Sequence, residues 1–281
     1  MWKLRALTAL YRHELLWRLR MSIGAWLFRN RPLGDTTLGA VIKQIRDVGA
    51  AVIPGYYSEE EMRALETVCE EALSRADTEA KPPQGYRRIP GGIRYQHMQK
   101  RHPLAQRFAR DPLIVALAAV FNGKFKMPSL MYGVTHDGRR DGASAERPEP
   151  FGHHPHTDAW YHMFKALTPM EPIARENGPL CFAPGSNGIQ PEASDYYVEM
   201  YKVAKREPEV MKKLKQTGVN AGGETYNATG MPDDVFAAAA ARFSLAYGEA
   251  GRGDLILFDT RCFHYATKLE QGERRILWMY F

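Results

Sequence analysis

The 281-residue sequence predicts an α+β protein. Helical periodicity and capping signals dominate the first 125 residues, short strand-like apolar runs recur after residue 155, and a helical stretch over 187–250 interrupts those runs. With 44% hydrophobic and 25% charged residues the chain can bury a core, which excludes disorder, collagen and coiled coil.

Residues 1–31 carry the chain's entire net charge. Lys3, Arg5, Arg12, Arg18, Arg20, Arg29 and Arg31 stand against the single Glu14, while the other 250 residues hold 31 bases and 31 acids. A body that is neutral overall excludes broad nucleic-acid binding. Leu4, Leu7, Tyr11, Leu15, Leu19, Ile23 and Trp26 follow one helix face, with Leu10, Leu16 and Trp17 off it. Charges at 12, 14, 18 and 20 break any spanning run, and no apolar stretch before a cleavage site marks a secretory signal. Two expectations fit this segment. One is an interfacial helix, with Trp2, Trp17, Trp26 and Phe28 at the acyl boundary and arginines on anionic headgroups. The other is a helix whose Leu/Trp stripe packs on the catalytic body or on a second subunit. Cys69, Cys181 and Cys262 are too few and too far apart for a disulfide framework, each has apolar neighbours, and they suit a reducing, cytoplasmic compartment, with the inner face of a membrane as the peripheral alternative.

Further along, Gly34-Asp-Thr-Thr37 opens a short helix to Arg46, and Ala50–Pro54 reads as a buried strand. Ser58 and Glu61 have capping-box spacing ahead of a helix over 59–75. Residues 77–93, rich in Pro, Gly and charge, are expected to be loop. Asp111-Pro112 opens a helix that stops at Asn122-Gly123. Strand character follows over 125–135, then a Gly- and Pro-bearing loop over 136–152, and further strands near 155–167, 179–184, 253–266 and 274–281. The insertion carries helices near 192–216 and 233–242.

The densest set of metal-ligand side chains is His153-His-Pro-His-Thr-Asp158. His156 and Asp158 stand two apart, so in a strand they share a face and supply two of the three ligands of a facial triad. His264 is the best third ligand, sharing parity with Ile256, Phe258, Thr260 and Cys262. Arg275, eleven residues beyond it, could grip a dicarboxylate through paired charge-assisted bonds. Its neighbour Arg274 has the opposite parity, so one of the two faces the interior and the other solvent. Trp160, Tyr161 and His162 follow the aspartate and are candidates for the substrate pocket, His162 with the parity of Asp158. His153 and His154 are expected at the rim.

Taken together, His156-Thr-Asp158, Glu176-Asn-Gly-Pro-Leu-Cys-Phe-Ala-Pro-Gly-Ser186, Gly253-Asp-Leu-Ile-Leu-Phe-Asp259, His264 and Arg275 resemble the phytanoyl-CoA dioxygenase family of iron(II)/2-oxoglutarate oxygenases. Val52–Ser58 and the helix ending at Asn122-Gly123 are similar to that family's N-terminal half, so the resemblance covers about residues 40–281. It implies a double-stranded β-helix, the cupin-like jelly roll, with N-terminal helices flanking it and the insertion 187–250 as a helical lid. The domain would run over 32–281, with 1–31 a separate basic helix. It also implies His156, Asp158 and His264 as ligands of iron(II), Arg275 as the clamp for the distal carboxylate of 2-oxoglutarate, and O2 as second cosubstrate. A departure from the pattern is Ala266, where the family often has Ser or Thr.

The expected reaction is hydroxylation of an unactivated C–H bond of a small molecule, with release of succinate and CO2. The carboxylate at 158 argues against halogenation, since related halogenases give it up to a halide. A basic insertion helix (Lys202, Lys205, Arg206, Lys212, Lys213 and Lys215) beside a basic, Trp-bearing N-terminus points to an anionic amphiphile, lipid-linked or acyl-bearing, as substrate. Two rivals use the same residues differently: a non-oxidative jelly-roll isomerase or hydrolase, which consumes no oxygen, and a silent membrane adaptor, which the intact triad disfavours.

Overall fold

A computed structural model describes residues 2–79, 84–89, 92–125, 127–136, 155–206 and 231–281. The expected loop over 136–152, the rim histidines 153 and 154, and the insertion lysines 212, 213 and 215 lie largely or wholly outside them.

Helices come first. α1 (Trp2–Leu27) leads through the two-residue strands β1 (Pro32–Leu33) and β2 (Thr36–Thr37) into α2 (Leu38–Val48), whose first turn is capped by the Thr37 hydroxyl accepting from the Ala40 N–H. α2 ends at Gly49, where φ is +90°, and a Cβ there would stand 2.0 Å from Cys262 Sγ, so both backbone and space require glycine. β3 (Ala50–Ile53) follows, then α3 (Glu59–Thr78), which begins with the complete Ser58/Glu61 capping box. The stretch expected to be loop contains a hairpin, β4 (Tyr86–Ile89) and β5 (Gly92–Gln96). Its Gly and Pro content masked a period of two in which Ile93 and Tyr95 face one way and Arg94 and Gln96 the other. α4 (Pro103–Ala109) and α5 (Pro112–Asn122) complete the helical half; the Asp111 carboxylate caps α5 by accepting from the N–H groups of Leu113 and Ile114.

Apart from the small β1–β2 pair, the strands form two antiparallel sheets. The larger has the order β3-β10-β7-β12-β6-β5-β4, with β6 (Ser129–His136), β7 (Phe164–Pro169), β10 (Leu255–Asp259) and β12 (Glu273–Tyr280) at its centre. The smaller has the order β11-β8-β9, from β11 (His264–Ala266), β8 (Leu180–Phe182) and β9 (Ala246–Tyr247), and is extended by a bridge between His156 and His264. This is the expected jelly roll with flanking helices. Between β8 and β9 stand α6 (Ser194–Arg206) and α7 (Asp233–Phe243) of the insertion.

The large sheet is apolar on both faces. One face, with Tyr132, Val134, Ala166, Leu257, Leu277 and Met279, forms the main core with α1, α2, α3 and α5. The other looks into the roll and carries Lys165, Leu167, Ile256, Phe258, Ile276, Trp278 and Tyr280; directly opposed residues of antiparallel neighbours share a face, which fixes these assignments.

α1 departs from expectation in the face it buries. Ala6, Leu10, Trp17 and Met21 pack on the body, whereas the regular stripe apart from the half-buried Leu7 stays in solvent, with Leu4 72%, Leu15 69% and Trp26 62% exposed. The helix is apolar on two sides, and the stripe with the cleaner period is the outer one. The body selects the side holding Trp17, because that side also places Glu14 against the buried Arg261 guanidinium.

Candidate metal centre

The strand expected over 253–266 is two strands in different sheets, joined by the turn Thr260–Phe263. That turn carries His264 across to the small sheet, opposite His156. The two residues exchange backbone hydrogen bonds, His156 N–H to His264 O at 2.9 Å and His264 N–H to His156 O at 3.0 Å. Pairing of this kind sets the imidazoles side by side, with ring centres 4.4 Å apart. Asp158 is held by its own N–H donating to Thr260 O at 3.1 Å, so one turn positions both the aspartate and the distal histidine.

His156, Asp158 and His264 each offer a ligand atom, all within 4.8 Å of one another. Asp158 Oδ1 lies 3.7 Å from His156 Nε2 and 4.0 Å from His264 Nε2. The His264 Nδ1–H donates to Cys262 O at 2.8 Å, which leaves the Nε2 lone pair facing the cluster, the second bond that metal-binding histidines require. Burial, reinforced by His156, lowers the His264 pKa to about 3, so this imidazole is neutral at physiological pH and ready to donate. Burial alone would raise the Asp158 carboxyl, but Lys165, His264 and His156 hold it well below the usual carboxylate range. Lys165 Nζ, 2.5 Å from Asp158 Oδ2, also sits over the Tyr280 ring at 4.9 Å. Two imidazoles, that of His264 neutral, and one ionised carboxylate suit a ferrous ion and leave further positions for exogenous ligands.

The arginines sort differently from the expectation. Arg275 lies on the helix face of β12, where its guanidinium meets Glu70 at 3.0 Å, Glu171 at 3.2 Å and Glu273 at 3.0 Å. Arg274 points into the roll, is 8% exposed, and its Nε has no hydrogen-bond partner among the described residues. Parity could not make this choice, because β12 is apolar on both faces.

The aromatic candidates also differ. His162 is buried away from the cluster: its Nδ1 is 2.6 Å from Asp259 Oδ2, its Nε2 is 3.0 Å from Glu14 Oε2, and its ring stacks on Trp17 at 3.6 Å. Its shared parity with Asp158 fails because β7 begins only at Phe164, and no strand period links the two residues. Trp160 makes ring contacts with His13 and Tyr201, so it packs toward α1 and α6, and Tyr161 packs toward α1 through His13. The partners in this network, Glu14 and Arg261, escaped sequence reasoning. Arg261 is fully buried, and its Nη1 contacts Glu14 Oε2. The available signal was Glu14 itself, the lone acid in a basic helix. Lys165 was likewise signalled by a charge inside an apolar strand.

A jelly roll with an antiparallel His-x-Asp…His opening defines the class of non-haem metal oxygenases. Residues 45–276 match the family described as phytanoyl-CoA dioxygenase (PhyH), and the chain belongs to that family. It is therefore an enzyme of the 2-oxoglutarate-dependent non-haem iron oxygenases. No curated protein sequence matches it. Among solved structures, EctD from S. alaskensis with 2-oxoglutarate and 5-hydroxyectoine is similar with a TM-score of 0.56 at 13% identity, covering 84% of this chain and 73% of its own. The non-haem alpha-ketoglutarate-dependent carbocyclase SnoK of nogalamycin biosynthesis gives 0.54 at 15%, covering 90% and 84%. The epimerase SnoN of the same biosynthesis gives 0.52 at 15%, covering 86% and 80%, and has also been solved with Fe3+ and alpha-ketoglutarate. At such identities the likeness is one of fold.

Proposed function

We propose that this enzyme oxidises an unactivated C–H bond of a small molecule, hydroxylation being the outcome, with His156, Asp158 and His264 holding iron(II) and Arg274 holding the distal carboxylate of 2-oxoglutarate. The observation that carries this is the convergence of two imidazoles and an ionised carboxylate inside a roll that also buries an arginine with no acid partner among the described residues. Iron with 2-oxoglutarate and O2 supplies the oxidising power, yielding succinate and CO2. The chain's own residues do the positioning. The Cys262 carbonyl fixes the tautomer of His264, Lys165 keeps Asp158 ionised, and Phe258, edge-on to His264 at 5.0 Å, shields the ligand from water. Loss of stoichiometric iron binding and of 2-oxoglutarate-dependent O2 uptake in Asp158→Ala is the expected result; equal metal content and equal succinate in variant and wild type would end the proposal.

The outer face of α1 supports a substrate class. Leu4, Tyr11, Leu15, Leu19 and Trp26 stand in solvent on one side of a helix whose opposite side is fixed to the body, and Arg5, Arg12 and Arg29 are exposed beside them. Apolar side chains flanked by arginines match an anionic lipid surface. No helix among the described residues is long and apolar enough to cross a membrane. The enzyme thus docks on the surface and draws an anionic amphiphile from it. Co-sedimentation with phosphatidylserine vesicles, lost in Leu15→Glu/Leu19→Glu and absent with neutral phosphatidylcholine vesicles, is the expected behaviour.

A further inference from the structure

We propose that Tyr196 of α6 is a positioning residue for the metal centre: its hydroxyl stands in for a neighbouring strand and holds the backbone between His156 and Asp158. The inference rests on the reading of His156, Asp158 and His264 as the iron ligands.

Backbone geometry creates the need for it. In an antiparallel pair the N–H and C=O groups of successive residues point to alternate sides of the strand. His156 directs both of its groups at His264, and the Asp158 N–H turns the same way, to Thr260 O. The Pro155 carbonyl and the Thr157 N–H therefore point to the other side, where no strand among the described residues runs. The insertion fills that side. Met231 N–H donates to Pro155 O at 3.2 Å, and Thr157 N–H donates to the Tyr196 hydroxyl oxygen at 3.1 Å. Thr157 is 2% exposed, so without Tyr196 its N–H would be left with neither water nor a partner.

The Thr157 side chain extends the hold across Asp158. Its hydroxyl lies 3.4 Å from Tyr196 Oη, donates to Ala159 O at 3.3 Å and sits 3.2 Å from Met200 Sδ, so one tyrosine fixes the chain on both sides of the aspartate. Tyr196 is held in turn: it is buried in a cluster with Leu10 of α1, Met200 and Phe263, the residue before His264. The next residue, Tyr197, is buried in the same cluster, yet its hydroxyl has no hydrogen-bond partner among the described residues. Packing of α6 thus asks for aromatic rings, and Thr157 asks for a hydroxyl at 196. An imidazole and a carboxylate two residues apart keep the spacing a metal requires only while the backbone between them is held.

Metal titration separates this from ordinary packing. Co(II) is titrated anaerobically into the whole chain, because its visible absorption bands report ligand geometry and affinity without turnover. Tyr196→Phe is expected to weaken Co(II) about 10- to 100-fold and to shift those bands, the size of effect seen for groups that orient metal ligands. Thr157→Val keeps the N–H and loses the hydroxyl; it should shift the bands less, and it keeps the test alive if Tyr196→Phe does not fold. Tyr197→Phe removes the unpartnered hydroxyl and should leave both affinity and bands as in the wild type. Wild-type bands and affinity in Tyr196→Phe overturn the inference, as does the same result in Thr157→Val where Tyr196→Phe does not fold. An equal loss in Tyr197→Phe overturns it as well, as general loosening of α6. A wild type that binds no Co(II) removes the reading of the metal centre itself.

Discussion

At the scale of single residues, β12 makes the sharpest prediction. Arg274 and Arg275 are adjacent in sequence and on opposite faces of a sheet, so their alanine variants should fail differently. Arg274→Ala should weaken 2-oxoglutarate about 100-fold with little change in unfolding, as expected for loss of a charge-assisted ligand contact. Arg275→Ala should leave that affinity intact and lower stability through its lost contacts with Glu70, Glu171 and Glu273. Calorimetric titration and thermal melts, run side by side, check both. Glu14→Gln is the second case. Among the described residues it removes the only acid paired with the fully buried Arg261, whose Nε and Nη2 have no hydrogen-bond partner there. Stranding a buried charge costs about 3 kcal/mol, measurable by urea denaturation, and a cost near zero would show that α1 is not electrostatically fixed.

Among elements, α1 is the one whose role the fold redefines. It lies outside the matched region 45–276, yet its inner side enters the main core through Trp17 and Met21. It also reaches both ligand-bearing segments: Glu14 touches His162, four residues past Asp158, and Arg261, three residues before His264. Trp17→Ala should cost about 3–5 kcal/mol and loosen iron binding together with stability, because cavity formation and loss of the His162 stack act at one place. Elements whose signals are local were legible. The Ser58/Glu61 box and the Asp111 cap appear where the letters put them, since a cap is made within a few residues. The β4–β5 hairpin was not legible, because its partner strand β6 lies about 40 residues away and loop-like composition hid its alternation.

For the molecule as a whole, acid stability follows from α1. Burial, with His162 and Arg261 adding to it, lowers the His13 pKa from 6.5 to about 4, so the folded protein refuses a proton that the unfolded chain accepts. That contribution is complete above pH 6.5 and is lost as pH falls toward 4. Burial opposes ionisation of Glu14, but His162 and Arg261 overcome it and bring its pKa from 4.5 to about 2; its contribution is present above pH 4.5 and is lost on descent toward 2. Thermal midpoints should therefore fall in two stages below pH 6.5, with Trp17 fluorescence reporting release of α1. Glu14→Gln should shrink the second stage, to which Asp158 also contributes.

The class of the protein is already written in its residues. The His156-x-Asp158 pair, a distal histidine, the order of helices before strands, and the caps are carried by residue type and short spacing, and local chemistry preserves them through folding. Which of two arginines enters the roll, which side of α1 is covered and what His162 touches are set by long-range packing. β12 and α1 are apolar on both sides, so periodicity alone gives two equal answers. The choice falls to partners far along the chain: on α1 Glu14 meets Arg261, 247 residues away, and on β12 the acids Glu70 and Glu171 draw Arg275 to the helix face, which leaves Arg274 for the roll.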